Sequence, residues 1–332
     1  MKVAVVGGGS WATAIIKILS DKYHDNGVGL LWWMRSEENI AYIQHHRHNP
    51  NYISSVTIPT EKIDISSDFA HVISEADVVI TAIPSAFVYD TFSQLPKNAL
   101  DDKIMVSAVK GVVPQTHQVL NDYFRSQFDV PEKKNVVIAG PCHAEEVALE
   151  KLSYLTIGGE SKKNAQLVAD LLSIRYIKTT VSKDLIGIEY ASILKNIYSL
   201  AAGICHGLGY GDNFQAVLIS NAMEEMKNFL DHVGNRDRHI EQSPYLGDLL
   251  VTAYSQFSRN RTFGNMIGKG YSVKSAQLEM NMVAEGYYAT KSMYKICKDL
   301  DYKMPMLYAV YRILYDKKPA AVEISKLAED FI

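Results

Sequence analysis

A chain of 332 residues with 47% hydrophobic content is long enough for two packed domains, since single cores stop growing at about 250 to 300 residues. A formal net charge of −3 and the lack of a clustered basic face in the sequence set aside nucleic acid as an expected partner. Three widely spaced cysteines, Cys142, Cys205 and Cys297, fit reduced thiols, and no apolar run approaches the roughly twenty residues of a membrane span, so a cytoplasmic protein without membrane insertion is expected.

The chain opens on an apolar strand, Val3 to Val6, that runs directly into Gly7-x-Gly9-x-x-Ala12 and then into an amphipathic helical stretch, Ala12 to Ser20. That order is the cradle for a dinucleotide pyrophosphate. Gly7 permits the tight turn, Gly9 lets the backbone approach the phosphates, Ala12 lets the helix pack on the strand, and the helix N-terminus faces the anion. A second strand, Gly29 to Trp33, is followed by Met34 and then Arg35-Ser36, where a carboxylate would be expected if the ribose 2′-hydroxyl of NAD were read. A guanidinium there suits a 2′-phosphate, which favours NADPH. The cluster His45-His46-Arg47-His48-Asn49-Pro50 lacks a spacing that would aim its imidazoles at one ion, and no metal is expected.

Further strand-like segments, Val78 to Ala82, Ile104 to Ser107 and Asn135 to Ala139, alternate with helical ones and predict a parallel sheet, which Ser153 to Ile157 and the stretch around Tyr176 to Thr180 complete. After about Lys183 the pattern turns helical. Leu185 to Ile204 is apolar around nearly its whole circumference, the mark of a buried central helix, and Glu189 and Lys195 are its charged residues. A lysine so placed loses solvation and its pKa falls unless a carboxylate holds the proton on, which makes Lys195 a functional candidate. Ser107-Ala-Val-Lys110-Gly111 puts Lys110 beyond the carboxyl end of a strand, where open α/β sheets bind ligands. Gly140-Pro141-Cys142-His143-Ala144-Glu145-Glu146 forms a second glycine turn into a helix, and Cys142 beside His143 leaves a thiol nucleophile as an alternative. Gly247-Asp248 and Ser258-Arg259-Asn260-Arg261 supply a carboxylate and a set of donors suited to a phosphate, with a capped surface loop as the other reading of the second segment.

These motifs in order, from Gly-x-Gly-Ser-Trp-Ala-Thr-Ala through Ser-Ala-Val-Lys-Gly, Gly-Pro-Cys-His-Ala-Glu-Glu, Leu-Lys-Asn-Ile, Gly-Asp-Leu and Ser-Arg-Asn-Arg-x-Phe-Gly to Val-Ala-Glu-Gly, resemble NAD(P)-dependent glycerol-3-phosphate dehydrogenase of the bacterial type. The resemblance implies an α/β fold: an N-terminal Rossmann-type doubly wound sheet over residues 1–182, followed over 183–332 by an all-α C-terminal domain like that of 6-phosphogluconate dehydrogenase. It implies Lys195, Lys110 and Asp248 as catalytic residues. Substrate contacts would come from Lys110, Gly140, Cys142, Lys195, Asp248, Ser258, Arg259 and Asn260. NADP or NAD would contact Gly7, Gly9, Ser10, Trp11, Arg35, Lys110, Ala144, Arg259, Val283 and Glu285. The implied reaction is the interconversion of dihydroxyacetone phosphate and sn-glycerol 3-phosphate, feeding glycerophospholipid synthesis, with a homodimer left open. Two departures stand out: Cys142 occupies a position where the family usually has serine or threonine, and Ser243-Pro244-Tyr245 replaces the usual glycine-containing approach to Gly247-Asp248. A dehydrogenase of another small hydroxy acid or sugar phosphate, and an NADP-binding redox sensor without turnover, are the alternatives.

Overall fold

Val3 to Val6 form the middle of a sheet because unbroken β-branched and small apolar residues can be buried on both faces, and all four have no exposed surface. Their strand, β1 (Lys2–Val6), is joined by β2 (Gly29–Trp33), β3 (Ile63–Ser66), β4 (Val78–Thr81), β5 (Ile104–Ser107), β6 (Asn135–Ala139), β7 (Ser153–Gly158) and β8 (Ile177–Ser182). The protein is described by a computed structural model over residues 1–23, 27–234, 236–280 and 284–331. Its eight strands lie in the order β3-β2-β1-β4-β5-β6-β7-β8, so the order reverses between β1 and β4, immediately beyond the glycine turn. This reversal marks where doubly wound sheets take ligands.

Two features depart from the expected sheet, a further strand and a reversed one. β3 is an edge strand of four residues, Ile-Asp-Ile-Ser, too short and too polar to stand out from the loop before it. β7 runs antiparallel to β6, with Ile138 opposite Ile157, whereas the other neighbours are parallel. The connection from β6 to β7 contains only the helix Ala144–Ala148, whose five residues rise about 7 Å, too little to carry the chain back to the far end of the sheet.

The chain divides into two compact units: Met1–Ile83 with Phe87–Val109 and Leu120–Leu185, and Pro84–Ala86 with Lys110–Val119 and Ile186–Ile332. The sheet belongs to the first. The second is built around the helix Leu185–Gly207, on which Ile193, Leu194, Ile197, Tyr198, Leu200 and Ala201 have no exposed surface. Its serine hydroxyls are satisfied along the helix itself, Ser192 Oγ donating to Ile188 O at 2.9 Å and Ser199 Oγ to Lys195 O at 2.7 Å. The helix Arg259–Gly268 packs against it backbone to backbone. A Cβ on Gly203 would stand 2.1 Å from Arg261 O, one on Gly264 2.1 Å from Leu200 O, and one on Gly268 2.2 Å from Ile204 O. Glycines four apart on each helix, Gly203 with Gly207 and Gly264 with Gly268, put the bare surfaces on one face of each. No helix among the described residues is long and apolar enough to cross a membrane.

Candidate active site

Lys195 leaves the middle of the Leu185–Gly207 helix into a space where it is 3% exposed, and Asp248, 1% exposed, opens the helix Asp248–Tyr254. The Lys195 Nζ donates to Asp248 Oδ1, so the buried ammonium has a buried carboxylate as its partner. Burial dominates the lysine's acidity and pulls its pKa down to about 7; Asp248 opposes that fall, and the Lys110 ammonium adds to it. A lysine poised near neutrality is the electrostatic signature of a proton donor and acceptor. The approach to Asp248 is a π-helical turn, Ser243–Gly247, in which Pro244 takes an early position that needs no N–H, and the Asp248 N–H reaches Ser243 O. The unusual Ser243-Pro244-Tyr245 segment thus still delivers the carboxylate at a helix start.

A run of amides fixes the residues around this pair. Asn196 Nδ2 donates to the main-chain oxygen of Lys110 at 2.7 Å, Asn260 Nδ2 donates to Asn196 Oδ1 at 2.9 Å, and Gly286 N donates to Asn260 Oδ1 at 2.8 Å. Lys110 is thereby tied to the helix that carries Lys195. Beside it, Glu285 receives the Ser85 N–H at 3.0 Å and the Ser85 hydroxyl at 2.6 Å. A Cβ on Gly111 would stand 2.5 Å from both Glu285 Oε2 and Ser85 Oγ, so a side chain there would displace this pair. Burial raises the Glu285 pKa, and the two bonds from Ser85 and the charge of Arg259 act against that rise.

Ser258 to Asn260 form the start of a helix. Ser258 Oγ caps the Arg259–Gly268 helix by accepting from Arg261 N at 3.3 Å, and no acidic residue stands in the first turn. The positive end of the helix, with the half-buried Arg259 as its first residue, suits an anion.

In the sheet unit, Gly7 has φ +131° and a Cβ there would stand 2.5 Å from Ala82 O, which explains its identity. Gly9 is different. A Cβ at Gly9 would meet nothing within 4 Å among the described residues, so bareness serves something other than packing. Gly9 is also the cap of the helix Ser10–Lys22, which has no acidic residue in its first turn. Open space at a glycine beside an uncompensated helix N-terminus fits a dinucleotide pyrophosphate. Ser10 is buried, Trp11 half-buried, and Arg35 exposed, its guanidinium 5.9 Å from the centre of the Phe87 ring.

Residues 2–165 match the family model for the N-terminus of NAD-dependent glycerol-3-phosphate dehydrogenase, and residues 184–325 match that for its C-terminus. The glycerol-3-phosphate dehydrogenase (NAD(P)+) of Bacillus licheniformis is 31% identical over 328 residues, covering 98% of this chain and 93% of the relative. The chain belongs to the NAD-dependent glycerol-3-phosphate dehydrogenase family. Its counterpart from Chlorobium phaeobacteroides strain BS1 is 33% identical over 328 residues, covering 98% of this chain and 97% of the relative. The crystal structure of the Coxiella burnetii glycerol-3-phosphate dehydrogenase superposes with a TM-score of 0.91 at 25% identity, covering 99% of this chain and 98% of that one.

Within this dehydrogenase family fold, the remaining expected residues fall as follows. Gly140, φ +131°, ends β6 and could not carry a Cβ, which would stand 2.5 Å from Tyr154 O. Cys142 is buried, and its Sγ donates to Tyr154 O at 3.2 Å. Ala144 starts the short helix after it and is also buried. Val283 lies outside the described residues. Asn196, Ser85 and the glycine seam at Gly203 and Gly264 are structural partners of the site that the sequence reading passed over. The seam had a signal, glycines four apart on two helices, and Asn196 stands within the Leu-Lys-Asn-Ile motif; Ser85 had none beyond its neighbours.

Proposed function

We propose that this dehydrogenase interconverts dihydroxyacetone phosphate and sn-glycerol 3-phosphate with NADPH or NADH, and that the product feeds glycerophospholipid synthesis. The observation that carries the reading is the buried Lys195, paired with Asp248, pressed by Lys110 and poised near neutral pH. When bound, the nicotinamide cofactor supplies the hydride. In the direction of reduction, the Lys195 ammonium gives a proton to the carbonyl oxygen of the substrate; in the direction of oxidation, the neutral amine takes it back from the hydroxyl. Lys110 stabilises the negative charge that grows on that oxygen. Asp248 orients Lys195 and keeps enough basicity on it to be reprotonated. Arg259, Asn260 and the N-terminus of their helix hold the phosphate, while Ser10, Trp11, the backbone at Gly7 and Gly9, and Arg35 hold the dinucleotide, Arg35 reading the 2′-phosphate of NADPH.

On this reading residues 1–182 are the cofactor domain and 183–332 the substrate domain, with the segments at Ser85 and at Lys110 to Gly111 contributing to the second. The three buried free thiols suit the reducing conditions of the cytoplasm. The deciding measurement is cofactor oxidation with two ketones, dihydroxyacetone phosphate and dihydroxyacetone. Remote binding energy from the phosphate should make kcat/KM at least about a hundredfold higher for the first, with a higher kcat as well. Equal values would overturn the phosphate site and move the assignment to a non-phosphorylated hydroxy compound.

A further inference from the structure

The polar run from His45 to Pro50 takes no part in the reaction described above, yet it contains a buried amide. Asn49 is 2% exposed, and both of its N–H hydrogens are used: Nδ2 donates to Gly8 O at 3.0 Å and to Thr13 Oγ1 at 2.9 Å. Its oxygen accepts from Asn51 N at 3.1 Å and Tyr52 N at 3.2 Å. The reversed amide would set its oxygen against the Gly8 carbonyl and its N–H groups against two backbone N–H groups, so only one orientation is satisfied. Thr13 passes the contact on, its Oγ1 donating to Gly9 O at 3.0 Å.

A peptide unit is planar and trans, so its carbonyl and its N–H point in opposite directions. Holding the Gly8 carbonyl therefore fixes the direction of the Gly9 N–H, a donor at the mouth of the helix Ser10–Lys22. The preceding peptide is held in the same manner, because Trp32 Nε1 donates to Gly7 O at 2.6 Å. Glycine allows the loop to approach a phosphate but also lets it wander, and an unheld glycine turn loses entropy whenever it binds.

We infer that Asn49 is a positioning residue for the pyrophosphate cradle: through Gly8 and Thr13 it holds the glycine turn in its binding shape, while its oxygen anchors the loop at residues 51 and 52. The inference rests on the dinucleotide reading of that turn. It is tested by calorimetric titration of Asn49→Ala and Thr13→Val with NADPH and with adenosine 2′-phosphate, which lacks the pyrophosphate. Thr13→Val leaves the anchoring bonds from Asn49 to residues 51 and 52 in place and removes only a hydroxyl. NADPH dissociation constants should rise about tenfold for Asn49→Ala and about threefold for Thr13→Val, as expected for one or two hydrogen bonds. Adenosine 2′-phosphate should bind all three proteins within about twofold, and kcat at saturating NADPH should stay within about twofold of the parent. An equal loss for adenosine 2′-phosphate would make Asn49 a general support of the loop and overturn the inference. So would unchanged NADPH binding in a folded Thr13→Val protein, which decides the matter alone if Asn49→Ala does not fold. A parent that binds neither NADPH nor NADH would overturn the cofactor reading itself, whereas a binding parent with unaffected variants overturns only the role of Asn49.

Discussion

The glycine turn and the lysine site reach function by opposite routes. The turn is made of backbone: within Gly7 to Ala12 the working parts are missing side chains and a helix end, and Gly9 borders open space. The lysine site is made of groups from distant stretches, with Lys195 paired to Asp248, Ser85 to Glu285, and Asn196 joining Asn260 to the Lys110 main chain. A backbone site depends on the few side chains that hold its peptides, as Asn49 and Trp32 hold Gly8 O and Gly7 O, whereas a network of buried polar groups fails when any member is left unpaired. Damage to the first should appear in cofactor affinity and damage to the second in turnover.

The largest effect expected is at Lys195. Lys195→Ala should lower kcat by at least about a hundredfold with the NADPH dissociation constant within about twofold, as measured by steady-state kinetics and direct titration. Turnover within a few-fold of the parent removes Lys195 from the mechanism. The parent enzyme sharpens the point through pH. With the Lys195 pKa pulled down to about 7, the protonated form needed for ketone reduction is lost as pH rises through that value, and the neutral form needed for alcohol oxidation is gained. The two kcat/KM profiles should therefore cross in opposite senses near neutrality. Asp248 raises the Lys195 pKa, so Asp248→Asn should move both profiles towards acid in whatever protein folds. Profiles parallel to each other would contradict a shared proton on Lys195.

Next in size is Arg35. Its exposed guanidinium is expected to meet the 2′-phosphate, so Arg35→Asp should weaken NADPH by a further factor of about thirty relative to NADH, a charge reversal at a partly screened site. Equal losses would place Arg35 under the base instead, consistent with its position over Phe87. Smaller again is the contrast between two glycines of one motif. Gly9→Ala meets no atom of the described residues within 4 Å and should keep its melting temperature while NADPH affinity falls about tenfold. Gly7→Ala drives a Cβ against Ala82 O and forces φ +131° on alanine, so it should lower the melting temperature by several degrees, about 1 to 3 kcal/mol of stability. A thermally damaged Gly9→Ala protein would mean that its bareness serves packing after all.

The same contrast explains what could be read from residues alone. The cradle was legible because strand, turn and helix follow one another within some twenty residues, and Val3 to Val6 are buried as their composition requires. Lys195 was legible as an anomaly, a charge on a helix apolar all round. Its partner was not, since nothing local joins Lys195 to Asp248 across 53 positions of sequence; the resemblance to a family joined them. β3 was missed because four residues with alternating burial at a sheet edge carry little pattern, and the reversal of β7 because direction depends on how far a connection can reach. Ser258 to Asn260 offered both a capped loop and a phosphate site, and the structure shows Ser258 capping the Arg259–Gly268 helix.

The smallest effect expected is at Cys142, which lies in the sheet unit but was assigned to substrate, and so tests where the line between the two kinds of site falls. Its Sγ donates to Tyr154 O at 3.2 Å, and a serine hydroxyl could make the same bond with a shorter reach. The family resemblance places a hydroxyl at this position. Cys142→Ser should then keep kcat within about threefold and lower KM for dihydroxyacetone phosphate modestly, because a hydroxyl that turns from the Tyr154 carbonyl to a substrate oxygen is a better donor than a thiol. A thiol nucleophile would give the opposite result, loss of turnover in a protein that still folds and binds NADPH, since serine without a neighbouring base does not replace a thiolate. An unchanged KM with full activity would restrict Cys142 to holding the Tyr154 carbonyl and return that position to the structural side of the comparison.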